Sequence, residues 1–234
     1  MDTKQDARRA KLARFWRDDV RPLLILAAIL FSLRSSLADW NDVPSGSMKP
    51  TILEGDRIFV NKLAYDLKFP FTTRHLAEWS NPARGEVAVF YSPHDEVRLV
   101  KRVVGVPGDT LEMSNGRLIL NGQPLAYENA PSEALEDLSP TEKVSRSYGL
   151  EQLPGKAHAV AATPWVQSRR NFGSLVIPEG HFFMMGDNRD ESFDSRYFGL
   201  VERRRIIGRA QAIVFSLDRE NFWMPRLNRL FESL

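Results

Sequence analysis

The stretch Val97-Arg-Leu-Val-Lys-Arg-Val-Val-Gly-Val-Pro-Gly-Asp109 sets the reading of the fold. Its branched aliphatic residues run to Val104 and end at Pro107-Gly108-Asp109, a turn signal, which predicts a strand. Along it Leu99, Lys101 and Val103 share one face, while Val100, Arg102 and Val104 share the other. Runs of the same kind recur on both sides, at Arg57–Val60, Glu86–Tyr91, Thr110–Met113, Arg117–Leu120, His181–Met185 and Arg209–Phe215. Turn signals separate them at Glu54-Gly55-Asp56, Asn115-Gly116, Asn121-Gly122 and Pro178-Glu179-Gly180. Asn115-Gly116 between two runs is a hairpin signal, because both residues tolerate left-handed backbone. The pattern predicts a mainly β fold: an antiparallel β-sheet domain with an inserted cap or hairpin region, preceded by one N-terminal transmembrane helix.

Composition narrows the classes of function. The 234 residues, 43% of them hydrophobic and 26% charged, suffice for one sizeable domain. Thirty-two Lys and Arg against thirty Asp and Glu leave a charge of +2, too balanced for a nucleic-acid binder. The absence of Cys excludes disulfides, Cys-based metal sites and a thiol nucleophile.

The N-terminus supplies an address. Lys4, Arg8, Arg9, Lys11, Arg14, Arg17 and Arg21 precede the uncharged run Pro22–Leu33. That run covers only about 18 Å as a helix, against about 30 Å of hydrocarbon, so the span is extended to Trp40, with Trp16 and Trp40 as interfacial markers. The division is then a cytoplasmic basic leader (1–19), a transmembrane anchor (20–40), a β domain (41–126 and 173–220), an inserted cap or hairpin region (127–172) and a C-terminal amphipathic tail (221–234). Asp39–Asp42 reads as a polar linker, and the tail as a short helix after Pro225. The aromatic patch of Lys68-Phe-Pro-Phe71 and Trp79 is expected to pack under the sheet, ahead of touching a membrane. The positive-inside tendency puts everything after Trp40 outside. Two alternatives stand: a cleavable signal, for which Ser36-Leu37-Ala38 offers small residues, and a buried core helix.

Three constellations can carry chemistry. In Val43-Pro-Ser-Gly-Ser-Met-Lys-Pro-Thr51, Pro44 restricts the backbone and Gly46 frees it, so Ser47 can be held exposed beside backbone N–H groups; met alone, the segment is ordinary loop chemistry. Lys101 among aliphatic residues loses hydration, which lowers its pKa and lets it act as a base; alone, it is more ordinarily an edge-strand lysine with a solvated head. Met185–Gly199 is a dense polar loop in which Asp187, Asp194 and Arg196 can pair and a hydroxyl such as Ser192 can orient an amine. Its acids lack the spacing of a calcium loop. A Ser/His/Asp triad has His75, His94, His158 and His181 to draw on, none in a recognisable motif.

In order, Pro44-Ser-Gly-Ser-Met48, Arg98–Asp109 and Gly186-Asp-Asn-Arg-Asp-Glu-Ser-Phe-Asp-Ser-Arg196 closely resemble the bacterial type I signal peptidases, a Ser/Lys-dyad serine protease family. The resemblance extends to about Phe215 and weakens through Tyr127–Phe172. It implies Ser47 as nucleophile, Lys101 as general base, Ser192 as the residue that positions the lysine, and an oxyanion hole from the Ser47 N–H and the Ser45 hydroxyl. It implies a supporting network of Arg102, Asp187, Asp194 and Arg196, and pockets lined by Val43 and Val100 that select Ala-x-Ala. It further implies no metal or organic cofactor, signal peptides of exported pre-proteins and membrane lipid as partners, no nucleic acid, and a monomer as the expected state. The implied location is the bacterial inner membrane, single-pass, with the catalytic domain on the periplasmic side; many relatives carry two spans. The competing expectations are a specialised protease for one pilin or conjugation precursor and a non-catalytic membrane-tethered binding module.

Overall fold

Strands form where apolar residues alternate between turn glycines, and the computed structural model describes them within residues 9, 11–72, 74–219 and 221–234. Residues 1–8 and 10 of the basic leader lie outside the described residues. Helix α1, Lys11–Leu37, contains a π-helical turn at Trp16–Val20 and is about 40 Å long, enough in length and apolarity to cross a membrane. Its apolar side chains are exposed, Leu23 at 66% and Leu30 at 57%, so it is not a core helix of this chain.

The helix stops at Leu37, and Trp40 is not part of it. Ala38–Asp42 forms β1, an edge strand pairing Trp40 with Phe59. Ala-Asp-Trp-Asn-Asp has little strand preference of its own; its ladder to β2, Asp56–Asn61, makes it one. A ribbon follows, β3 (Asp66–Lys68) and β4 (His75–Glu78). Its aromatic loop does not pack under the sheet: Phe69, Phe71 and Trp79 are exposed, and the Phe71 N–H donates to Ser35 Oγ at the end of α1.

The next strands are β5 (Val87–Tyr91), β6 (Arg98–Gly105), β7 (Thr110–Ser114), β8 (Arg117–Leu120) and β9 (Gln123–Pro124). Asn115-Gly116 and Asn121-Gly122 have positive φ at both positions, the geometry of type I′ turns. The inserted segment is built from β10 (Tyr127–Asn129), the short helix α2 (Pro140–Ser145), β11 (Ser147–Glu151) and β12 (His158–Ala162), its strands forming a separate antiparallel sheet. The chain returns through β13 (Phe172–Val176), β14 (His181–Met185), the single turn α3 (Ser195–Phe198), β15 (Val201–Glu202), β16 (Ile206–Asp218), β17 (Met224–Pro225) and β18 (Glu232–Ser233).

The main antiparallel sheet runs β1-β2-β16-β5-β6-β14-β15. Bulges in β16, between Ile206 and Gly208, Ala210 and Ala212, and Ile213 and Phe215, help it curl. Each face of β5 feeds a different core. Val87 and Val89 join Val43, Met48, Ile52 and Ile58, whereas Ala88 and Phe90 join Val103, Phe182 and Met184. Burial of Met48, 1% exposed, plugs the segment after Ser47 into the first core.

The tail does not form the expected helix. It makes a tight turn at Phe222-Trp223, then pairs β18 with β16. A short helix gains little by itself, and Arg229 has a better use. Its guanidinium reaches buried Asp56 at 2.9 Å and donates to Thr51 O at 2.9 Å, while Asp56 accepts from Leu53 N–H. Replacing Arg229 with Met strands the Asp56 carboxylate in the interior. We expect a loss of about 3 kcal/mol in urea unfolding, with Asp56→Asn/Arg229→Met losing less than Arg229→Met alone.

Candidate active site

Ser47 is the second residue of a turn closed by the Lys49 N–H donating to Gly46 O at 3.0 Å. The segment is locked at both ends: Val43 N–H donates to Asp56 O at 2.9 Å, and Met48 sits in the core. Across from it lies Lys101, in the interior of the sheet between β5 and β14, not on an edge. Lys101 is 3% exposed, and its Nζ lies 2.5 Å from Ser47 Oγ. The two residues meet although 54 positions separate them.

Burial pushes the Lys101 amine down from 10.5 to about 8, the charge of Arg196 adding to the effect while Asp194 and Asp187 oppose it. Both carboxylates are already engaged. Asp187 accepts from Arg102 Nε at 2.8 Å and Nη2 at 2.6 Å, and from Thr51 Oγ1 at 2.6 Å. Asp194 accepts from Arg196 Nε and Nη2, each at 2.8 Å, and from Gly186 N–H at 3.0 Å. All four charged groups are buried. The acids of the Met185–Gly199 loop therefore neutralise arginines.

The loop also grips the serine turn. Asn188 N–H donates to Ser47 O, and Asn188 Nδ2 to Gly46 O, each at 3.1 Å. Gly186 must be small: a Cβ there would fall 2.4 Å from Ser47 O and 2.3 Å from Ser192 Oγ. Ser192 is thereby placed against the same turn, but its buried Oγ makes no hydrogen bond among the described residues, so the expected contact with Lys101 is not formed; the amine is taken by Ser47 Oγ. Ser45 is exposed. Ser47 N–H has no backbone acceptor among the described residues. Val43 is in the first core and Val100 packs against it, so the two lie on one apolar surface.

His158 is the histidine that meets this network, and its ring nitrogens lie against Asp187, Glu151 and the carbonyl of Lys156. Its Nε2 lies 3.6 Å from Asp187 and 3.5 Å from Glu151, and burial with the nearby Arg102 charge lowers its pKa to about 4, leaving it neutral. Glu151, fully buried on β11, takes two hydrogen bonds from Arg189 at 2.6 and 2.8 Å and ties the inserted sheet to the polar loop. Sequence reasoning missed Thr51, Asn188, Lys49, Glu142, Glu151 and Arg189. Thr51, Asn188 and Arg189 stand inside quoted motifs without a role having been read for them, and Glu142 had a local signal in the capping box it forms with Ser139 at the start of α2.

A family model described as signal peptidase, peptidase S26, matches residues 16–215. A signal peptidase I of Pseudomonas fluorescens is 38% identical over 200 residues, covering 80% of this chain and 68% of the relative. One of Aquifex aeolicus is 34% identical over 225 residues (84% and 83%), and one of Bacillus licheniformis 32% over 200 residues (85% and 88%). A crystal structure of a signal peptidase I from Enterococcus faecalis is 29% identical, with a TM-score of 0.35, covering 56% of this chain and 97% of that one.

Holding the buried amine at about 8 instead of 10.5 costs about 3 kcal/mol while it is protonated. The folded pKa is the lower one, so this cost is full below pH 8 and disappears as pH rises toward 10.5. Lys101→Met removes the cost but loses one hydrogen bond of about 1 kcal/mol. At pH 7 it should unfold about 2 kcal/mol less readily in urea, with the gain shrinking above pH 8.

Proposed function

The chain belongs to the signal peptidase family, peptidase S26, and on that premise we propose how its own residues remove signal peptides from exported pre-proteins. It is a serine endopeptidase by family, and the observation that carries the residue assignment is the 2.5 Å contact between Ser47 Oγ and a buried lysine amine of pKa about 8. A neutral amine at that distance accepts the hydroxyl proton while Oγ attacks the carbonyl carbon after a small residue. The Ser47 N–H and the Ser45 hydroxyl receive the oxyanion. The Lys101 ammonium then gives its proton to the leaving amine, and water activated by the same lysine releases the acyl group. Ser192, whose Oγ has no hydrogen-bond partner among the described residues, accepts from the ammonium while it carries the proton. Val43 and Val100 line the pockets for an Ala-x-Ala site.

Helix α1 anchors this domain in the bacterial inner membrane, with the basic leader inside and the site on the outer face. Substrate tethered in the same bilayer meets the site at raised effective concentration. No cofactor enters the scheme, and a monomer suffices for it.

Cleavage of an Ala-x-Ala precursor in detergent tests the assignment. Ser47→Ala and Lys101→Met should each lose at least about a thousandfold in kcat, and Ser45→Ala about a hundredfold. Replacement of all four histidines should leave activity in place; its loss would point to a triad. The value of kcat/KM should rise with pH and reach half its plateau near pH 8, as Lys101 loses its proton. Arg196→Leu removes a cation that depresses this pKa and leaves Asp194 uncompensated, so the half-point should move to higher pH. A shift to lower pH would contradict the electrostatic account.

A further inference from the structure

Lys49 stands two positions after Ser47, and its side chain folds back over the turn. A Cβ on Gly46 would fall 3.0 Å from both Lys49 Cδ and Cε and 3.1 Å from Glu54 Oε1, so the lysine stem occupies the space that Gly46 leaves open. The ammonium is held by Glu54 at 2.6 Å and by Glu142, on α2 of the inserted segment, at 2.8 Å. Burial works against this charge, but the hydrogen bonds of the two carboxylates outweigh it and keep the Lys49 pKa above its ordinary value.

Glu142 is fixed from other sides as well. It completes the capping box with Ser139 and pairs with Arg146 at 2.8 Å. Arg146 reaches Glu191 at 2.8 Å, and Glu191 accepts from Asn188 Nδ2 at 3.1 Å. That same nitrogen donates to Gly46 O at 3.1 Å. The contacts form a closed ring: they leave the serine turn at Lys49, cross helix α2, enter the polar loop and return to the turn at Gly46.

We propose that Glu142 is a positioning residue for Ser47, setting the aim of the nucleophilic turn through the Lys49 side chain that braces Gly46. This rests on Ser47 being the nucleophile. The inserted segment then acts on the reaction without touching substrate. A turn braced on one side only lets the Ser47 N–H and Oγ swing relative to Lys101, which slows the chemical step more than it weakens binding.

Full-length protein in detergent, with an Ala-x-Ala precursor, separates the outcomes. Glu142→Gln and Lys49→Met should each lower kcat about ten- to hundredfold. KM should stay within about twofold, and the half-point of the pH profile should not move. Combining the two should cost no more than the worse single change, because both break the same ring. Lys49→Arg, which keeps stem and charge, should retain most of kcat. Glu142→Gln exchanges one oxygen for an amide on a short helix, so it remains decisive even where Lys49→Met fails to fold. Unchanged kcat in Glu142→Gln, a change in KM alone, or losses that multiply in the double variant would overturn the proposal. Activity surviving in Ser47→Ala would instead remove the nucleophile reading itself, whatever Glu142→Gln does.

Discussion

Everything in the site depends on one buried amine that holds its proton weakly although two buried carboxylates lie near it. Lys101 has almost no access to water, and that alone favours the neutral form. Asp187 and Asp194 push the other way, since either would welcome an ammonium. Arg102 and Arg196 resolve the conflict by taking one carboxylate each through two-pronged hydrogen bonds. The arginines thus act as counterions to the two carboxylates, and the field around the amine is set by four side chains from two separated segments, β6 and the Met185–Gly199 loop.

The geometry around Ser47 is a second constraint of the same sort. Its turn has little structure of its own, and it is held by what surrounds it: Met48 in the core, Asn188 on two carbonyls and the Lys49 stem behind Gly46. Gly186 permits the close approach of turn and loop. Such a site has few soft directions, which is the condition for a serine to meet a base within hydrogen-bond distance without a histidine between them.

Much of this was legible before any coordinates. All seven apolar runs became strands, because alternation bounded by turn residues is a local signal that burial on both faces reinforces. The three motifs that carried the family resemblance contain Ser47, Lys101 and most of the charged network. What escaped were features that exist only through long-range pairing. Ala38–Asp42 is a strand because β2 offers it a ladder, and the tail folds into turns and short strands, in place of an amphipathic helix, with Arg229 set on Asp56. Glu142 and Glu151 lie in a divergent segment, and their partners Lys49 and Arg189 look like ordinary surface charges in a string of letters. Lys101 presented the converse problem: in isolation it looked like an edge residue, and only the pairing of β6 with both β5 and β14 buries it.

The ion pair between Arg229 and Asp56 carries an implication about timing. Synthesis runs from the N-terminus, so Ser47 and Lys101 exist long before Asp187, Asn188 and finally Arg229 are added. Until Asn188 is added the serine turn lacks the loop that grips it, and until Arg229 is added Asp56, whose carbonyl secures Val43, lacks its countercharge. In a growing chain, therefore, Ser47 and Lys101 are present before the contacts that fix the serine turn can form, so the geometry of the pair is among the last features of the fold to be set.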